Sequence, residues 1–167
     1  MDGRDADPGE IGEIEIRGPM VFAGYLDRPE ETAAAFDGHW FRTGDLGSID
    51  ATDILTVADR RDDLIVSGGE NVYPAEVETI LRRHPEVVDA AVFGRLDDRW
   101  GAVPMAAIVV QPGADPTDAE LAAHCRTSLA GYKVPVAFVR VVAIPRTPSG
   151  KVIRRELRDS IVSEPVR

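Results

Sequence analysis

The stretch Asp59-Arg60-Arg61-Asp62-Asp63-Leu64-Ile65-Val66-Ser67-Gly68-Gly69-Glu70-Asn71-Val72-Tyr73-Pro74-Ala75-Glu76-Val77-Glu78 decides how this chain is read. A charged run feeds a short apolar strand, Leu64-Ile65-Val66, expected to be buried. Gly68-Gly69 follows as a flexible turn, because glycine reaches left-handed backbone without steric cost. Pro74 then opens a helix, since proline fits the first helical turn, where its missing N–H is not needed. Val77, Ile80 and Leu81 share one face, and the helix is expected to reach about Arg83. His84-Pro85 stops it, because the residue before proline avoids the α region. The charged run itself reads either as an ordinary linker or as a hinge, since polar side chains tolerate exposure in both positions of a moving link.

Downstream, strands and helices alternate. Val87 to Phe93 and Met105 to Val110 read as strands. Thr117-Asp118-Ala119-Glu120 is a capping box, which predicts a helix to about Leu129 that buries Leu121, Cys125 and Leu129. Val136 to Ala143 alternates as a strand. Lys151 stands just before a final helix with Ile153, Leu157 and Ile161 at i, i+4 and i+8. This half is expected to be an α+β domain of about 100 residues. Upstream, the chain reads as short strands and turns. Ile11 to Arg17 alternates as a strand with one wet face, and Pro29-Glu30-Glu31-Thr32 opens a short Ala-rich helix. Trp40 to Arg42, Gly47 to Asp50 and Ile54 to Ala58 follow as separate short strands. About sixty residues of this kind bury too little apolar surface to be stable alone.

The chain has 167 residues, 44% hydrophobic and 29% charged, with a formal net charge of −10. That balance excludes wholesale disorder. No apolar run is long enough to span a membrane. The acidic start, MDGRDADPGE, does not read as a signal peptide. The single thiol, Cys125, excludes an internal disulfide and a Cys-rich zinc site. A cytoplasmic protein is expected, and the acidic balance argues against nucleic acid as its partner. Residues 1–62 hold 15 Asp+Glu against 6 Arg, a balance of −9, whereas residues 63–167 balance to −1. The last stretch, 140–167, balances to +4 through Arg140, Arg146, Lys151, Arg154, Arg155, Arg158 and Arg167. It reads either as a solvated face or as a basic tail meeting an anion such as phosphate.

Three segments carry chemistry. In Phe41-Arg42-Thr43-Gly44-Asp45-Leu46-Gly47, Asp45 is expected at a strand end, where a carboxylate can accept two hydrogen bonds from vicinal hydroxyls. Taken alone it is an aspartate in a turn. The second segment is the Asp59 to Glu78 run. In Pro145-Arg146-Thr147-Pro148-Ser149-Gly150-Lys151, a lysine after a Ser-Gly turn can reach an anion as a point charge. Taken alone it is an exposed surface lysine. Lys133 and Lys151 are the only lysines among 19 basic residues. Ser149-Gly150-Lys151 is not a P-loop, because Pro145 stands where a glycine is needed and Val152 where a Ser or Thr is needed. His39, His84 and His124 are far apart in sequence and lack metal-ligand spacing, so no metal site is expected.

The order of Gly12-Glu13-Ile14-Glu15-Ile16-Arg17-Gly18, Gly24-Tyr25, Phe41 to Asp45, Asp59 to Glu78 and Pro145 to Lys151 resembles that of adenylate-forming enzymes. Over roughly residues 9 to 159 the chain resembles the C-terminal portion of an acyl-CoA synthetase of that superfamily. The resemblance implies a small C-terminal α+β domain, residues 62–167. It would hold a mixed three-stranded sheet with flanking helices and a short hairpin. Ahead of it, residues 1–61 would be a β-rich end of a larger AMP-binding domain, whose remainder is missing here. It implies ATP, Mg2+ and coenzyme A in the full-length enzyme, and a carboxylic acid activated as its adenylate and passed to a thiol.

By the same resemblance, Asp45 matches the aspartate on the ribose hydroxyls, Arg60 an arginine near that ribose, and Asp62 the hinge residue. Lys151 matches the catalytic lysine of adenylation, and Gly68, Gly69 and Glu70 the loop that lines the pantetheine tunnel. The Gly-Gly-Glu-Asn-Val-Tyr-Pro run looks like ligases of fatty, aryl or succinylbenzoate acids, and fatty acid metabolism is one expected setting. Val134 and Val136 stand where some relatives place basic residues against coenzyme A phosphates. The isolated chain is expected to lack ligase activity. The alternatives are a stand-alone module complementing a separate N-terminal half, and an adenylation domain serving a carrier protein.

Overall fold

The structure is a computed structural model that describes residues 4–162. The outermost ends of both expected domains, and Arg167 of the basic tail, lie outside the described residues. The chain divides into two compact units, Met1–Asp62 and Asp63–Arg167.

The first unit is β-rich. Strands β1 (Gly12–Ile16), β2 (Phe36–Asp37), β3 (Trp40–Ile49) and β4 (Leu55–Arg60) form an antiparallel sheet in which β3 pairs with the other three. Helix α1 (Pro29–Ala35) precedes β2 and has Pro29 in its first turn, as expected. Trp40–Arg42 and Gly47–Asp50 are not separate strands. They belong to one ten-residue strand that continues through a bulge. Nor does β1 alternate cleanly, since Glu13 is partly buried and Ile16 exposed. Phe22 contacts Tyr25, Phe36 and Phe41 with ring centroids 5.0–5.8 Å apart. Among the described residues, Leu46 is the only buried apolar side chain of this unit, while Met20, Leu26, Ile54 and Val57 stand in solvent.

The second unit is a three-layer α+β domain. Strands β5 (Ile65–Ser67) and β6 (Glu70–Val72) make a hairpin. The long strands β7 (Val87–Asp97) and β8 (Gly101–Val110) pair antiparallel. Strand β9 (Phe138–Arg140) joins β8 in parallel, and β5 touches β8 at Gly101, both on the edge that β7 leaves free. The expected three-stranded mixed sheet is therefore β7–β8–β9, with the β5–β6 hairpin appended. Period-two alternation buries both faces. Ala90, Val92, Ala106 and Ile108 pack with helices α2 (Pro74–Leu81) and α3 (Asp118–Arg126). Ala91, Phe93, Met105 and Ala107 pack with Leu157 and Ile161 of α4 (Arg154–Val162).

Several elements differ in extent from expectation. Only Ile65 and Ser67 of β5 are buried, and Val66 points outward. Strand β9 has three residues instead of eight, and Val142 is fully exposed. Helix α3 ends at Arg126, although Leu129 N–H still donates to Cys125 O at 2.9 Å and Leu129 is buried as expected. The capping box is present in full, with Thr117 accepting from Glu120 N–H and Glu120 accepting from Thr117 N–H. Among the described residues, no helix is long and apolar enough to cross a membrane.

Candidate functional site

The bulge in β3 holds Asp45. The β1–β3 register slips between Glu13 and Glu15, so Thr43, Gly44 and Asp45 face Ile14 alone. Gly44 sits at φ +72°, where a side chain would be strained. Thr43 Oγ1 donates to Ile14 O at 2.7 Å and accepts from Asp45 N–H at 3.0 Å, which pins the loop from both ends. Asp45 therefore lies inside a strand at a bulge, a correction to the expected strand end. Bulges re-aim side chains in this way. Directly opposite on β4 is Arg60, whose Nε is 3.0 Å from Asp45 Oδ1. Both side chains are partly exposed, so the pair can exchange its contacts with a ligand.

Chain-wise next is a short 3-10 turn, Arg61–Asp63, that contains Asp62. Within the first unit, Arg61 Nη1 is 2.7 Å from Glu13 Oε2. Within the second, Asp63 Oδ2 is 2.7 Å from Arg154 Nη1. Asp62 is exposed between these two tied neighbours.

Gly68 and Gly69 form the two-residue turn of the β5–β6 hairpin, at φ +61° and +88°, and Ser67 pairs with Glu70. Two successive positive φ values match the twist of a tight hairpin. The turn is also held from the side. Gly68 N–H donates to Trp100 O at 2.9 Å, and a Cβ on Gly68 would come within 2.8 Å of the Trp100 ring. The Arg99 guanidinium lies 4.6 Å from the Trp100 ring centroid. Sequence reasoning passed over Trp100, although an aromatic in the Asp97-to-Gly101 turn of a hairpin was a visible signal.

Lys151 follows a turn closed on itself. Gly150 N–H donates to Thr147 O at 2.8 Å, Thr147 N–H to Lys151 O at 2.8 Å, and Lys151 N–H to Thr147 Oγ1 at 3.1 Å. A bridge between Arg146 and Val152 flanks the turn. Lys151 is exposed, and no hydrogen bond or ion pair engages its ammonium among the described residues. Lys133, by contrast, is spent on Glu76 at 2.7 and 2.9 Å. Val134 is buried and Val136 exposed.

The basic tail is less free than its charge implied. Arg140 pairs with Asp118 and donates to Pro116 O, Arg146 pairs with Asp89, and Arg154 pairs with Asp63 and Glu78. Those three arginines are spent on partners within the unit. Lys151, Arg155 and Arg158 are the described cations of the tail without an internal carboxylate.

The histidines also correct a sequence argument. His84 and His124 are distant in sequence, yet their rings meet edge-on with centroids 5.1 Å apart. Among the described residues, no group of three or more His, Cys, Asp or Glu could hold a metal ion. Cys125 is buried, which pushes its thiol up to about 11.

Thus Asp45 and Arg60 stand together in the first unit. In the second unit, Gly68, Gly69 and Glu70 share one turn, and an unpaired lysine crowns another. Residues 76–151 match the AMP-binding enzyme C-terminal domain, and nearly the whole chain is similar to adenylate-forming enzymes. It is 52% identical over 157 residues to a 2-succinylbenzoate--CoA ligase of Geobacillus kaustophilus, covering 94% of this chain and 32% of that protein. Its fold matches o-succinylbenzoate CoA synthetase from Bacillus subtilis, in complex with its acyl-adenylate intermediate. The TM-score is 0.89, with 44% identity over 95% of this chain and 32% of that one. The same synthetase is also known in complex with ATP and a magnesium ion. An amide bond synthetase from Marinactinospora thermotolerans matches with a TM-score of 0.87 and 40% identity, covering 95% of this chain and 32% of the other. The chain thus spans about a third of the length of the curated relatives it matches. Their named acid is 2-succinylbenzoate, and nothing among them supports the expected setting of fatty acid metabolism.

Proposed function

We propose that this chain is the C-terminal part of an ATP-dependent acid–CoA ligase. Residues 1–61 would end its AMP-binding domain, and residues 62–167 would form its mobile C-terminal domain. The observation that carries this reading is the 52% identity to a 2-succinylbenzoate--CoA ligase across nearly the whole chain. In the reaction, a carboxylate attacks the α-phosphorus of ATP, pyrophosphate leaves, and a thiol then displaces AMP from the acyl-adenylate. Asp45 accepts hydrogen bonds from the ribose hydroxyls, with Arg60 beside it. Lys151, whose ammonium is not spent internally, neutralises charge that develops between carboxylate and α-phosphate. The exposed Gly68-Gly69-Glu70 turn lets backbone approach the thin pantetheine arm of coenzyme A. Asp62 is the hinge. The described residues offer no metal cluster, so no step is assigned to magnesium.

Pyrophosphate exchange by the full-length protein, dependent on 2-succinylbenzoate and lost on Lys151→Ala, is the expected result. The isolated chain is expected to form no adenylate. Absence of exchange with any carboxylic acid by the full-length protein overturns the reading. A second reading, a separate module that complements an N-terminal half, is favoured by the apolar side chains the first unit leaves in solvent. Recovery of activity on mixing the two halves tests it.

A further inference from the structure

The second unit carries a line of alternating charge that none of the proposed roles uses. It begins at Asp63, which pairs with Arg154, and Arg154 pairs with buried Glu78 at 2.7 Å. Arg82 stands 3.8 Å from both Glu78 and Asp89. Asp89 takes both oxygens to Arg146 Nη2, at 2.8 and 3.0 Å. The other Arg146 nitrogen, Nη1, donates to Gly150 O at 2.8 Å, one residue before Lys151. The line ends on the backbone of the lysine turn.

Its route follows the free edge of β7. Ala90 and Val92 point their backbone groups away from β8. Ala90 N–H donates to Asp89 Oδ1, and Ala90 O accepts from Arg82. Val92 N–H donates to Glu78, and Val92 O accepts from Arg154 Nε. Asp89 thus precedes Ala90, Ala91, Val92 and Phe93 of β7, all buried. The planar guanidinium of Arg146 has one face of donors on that anchor and one on the Gly150 carbonyl, a fork that a lysine cannot reproduce. Without it, the Thr147-to-Lys151 turn keeps its own short-range hydrogen bonds and the flanking Arg146–Val152 bridge.

We infer that Arg146 is the positioning residue of the Lys151 turn, clamping the Gly150 carbonyl to Asp89 on the edge of β7. The inference rests on the reading of Lys151 as the adenylation lysine. A positioning residue changes where that ammonium stands and leaves nucleotide binding alone.

Two measurements on Arg146→Ala, Arg146→Lys and Asp89→Asn test it, with Lys151→Ala in parallel. In the present chain, amide hydrogen exchange at Gly150 and Lys151 should speed up about tenfold in Arg146→Ala, the loss of one hydrogen bond. Leu121 and Val92 should keep their protection, which shows that the fold persists. In the full-length protein, kcat for carboxylate-dependent pyrophosphate exchange should fall about 100-fold with KM for ATP unchanged, as expected for misplacement near 1 Å. Arg146→Lys should recover part of the rate, and Asp89→Asn should lose part of it. Unchanged amide exchange in Arg146→Ala overturns the clamp. Faster exchange with an intact kcat, while Lys151→Ala collapses it, overturns the positioning role. A Lys151→Ala variant that keeps its rate sinks the role of Lys151 itself and this inference with it. That outcome is distinct because the amide data still report the clamp.

Discussion

Asp45 and Arg60 face each other across β3 and β4, with Arg60 Nε 3.0 Å from Asp45 Oδ1. Register slips on both strands, at Gly44 of β3 and at Ala58 of β4, bring the two opposite each other, so the pair is built by register instead of by sequence proximity. An ion pair this exposed contributes about 0–1 kcal/mol to stability. Asp45→Asn should therefore leave urea unfolding of the chain nearly unchanged. In the full-length protein it should lower kcat/KM for ATP about tenfold or more, through the loss of charge-assisted hydrogen bonds. Equal loss of stability and activity would make Asp45 structural.

The Gly68-Gly69 turn separates backbone strain from crowding. Both residues have positive φ, but only Gly68 has the Trp100 ring within 2.8 Å of an added Cβ, and Gly69 has open space. Gly69→Ala should cost about 1 kcal/mol from left-handed strain alone. Gly68→Ala should cost about 2 kcal/mol or more, since the ring must also shift. Urea midpoints compare them, and equal costs would mean that Trp100 does not press on the turn.

Glu78 is buried and takes its short ion pair from Arg154, with Arg82 farther off at 3.8 Å. Arg154→Met leaves that carboxylate with the Val92 N–H and the longer Arg82 contact alone, with an expected cost of up to about 3 kcal/mol. Removing both charges, in Arg154→Met with Glu78→Met, should restore much of it. A double variant no more stable than the single one would show that the loss comes from packing instead.

The α3 cap makes stability depend on acidity. Hydrogen bonds from Thr117, backbone first and side chain second, hold the Glu120 carboxyl below its ordinary value of 4.5. A lowered folded value means that the contribution is fully present above 4.5 and is lost as pH falls through the folded value. Thr117→Ala should cost about 1 kcal/mol near neutrality. The gap between parent and variant should narrow below pH 4.5, as followed by thermal melts across pH. A gap independent of pH would detach Glu120 from the Thr117 hydroxyl, since the backbone N–H of residue 117 remains in the variant.

Burial holds the Cys125 thiol up to about 11, so little thiolate exists at pH 8. Alkylation of the folded chain at that pH should be far slower than in urea, with intact-mass measurement as the readout. Equal rates would place the thiol in solvent.

The elements legible in the sequence are those specified by local chemistry. Pro74 and the Val77, Ile80, Leu81 face define α2, and the Thr117 and Glu120 pair defines where α3 starts. Gly68-Gly69 marks the hairpin. The elements that escaped depend on partners far along the chain. Strand β3 looks broken at Gly44 because glycine there serves a bulge, whose reason is Ile14 across the ladder. Strand β9 pairs with β8 only at Ala106 to Ile108, a long-range register that local alternation over 136–143 does not record. His84 and His124 meet only because α2 and α3 pack together. At the candidate site, the residues with motif signatures were visible. Arg146, Asp89 and Trp100 hold those residues and act through tertiary contacts that no local pattern records.

The side-chain lining of β7 has a consequence beyond its own unit. An outer strand with open amides and carbonyls is a template on which another chain can add a strand. Between Ala90 and Val92 all four outward groups are already occupied by Asp89, Arg82, Glu78 and Arg154. Over Ala90–Val92 this edge therefore offers no open group to an incoming strand. Arg82 and Arg154 thus cover backbone carbonyls of this edge, while Arg146 reaches it only through the Asp89 carboxylate.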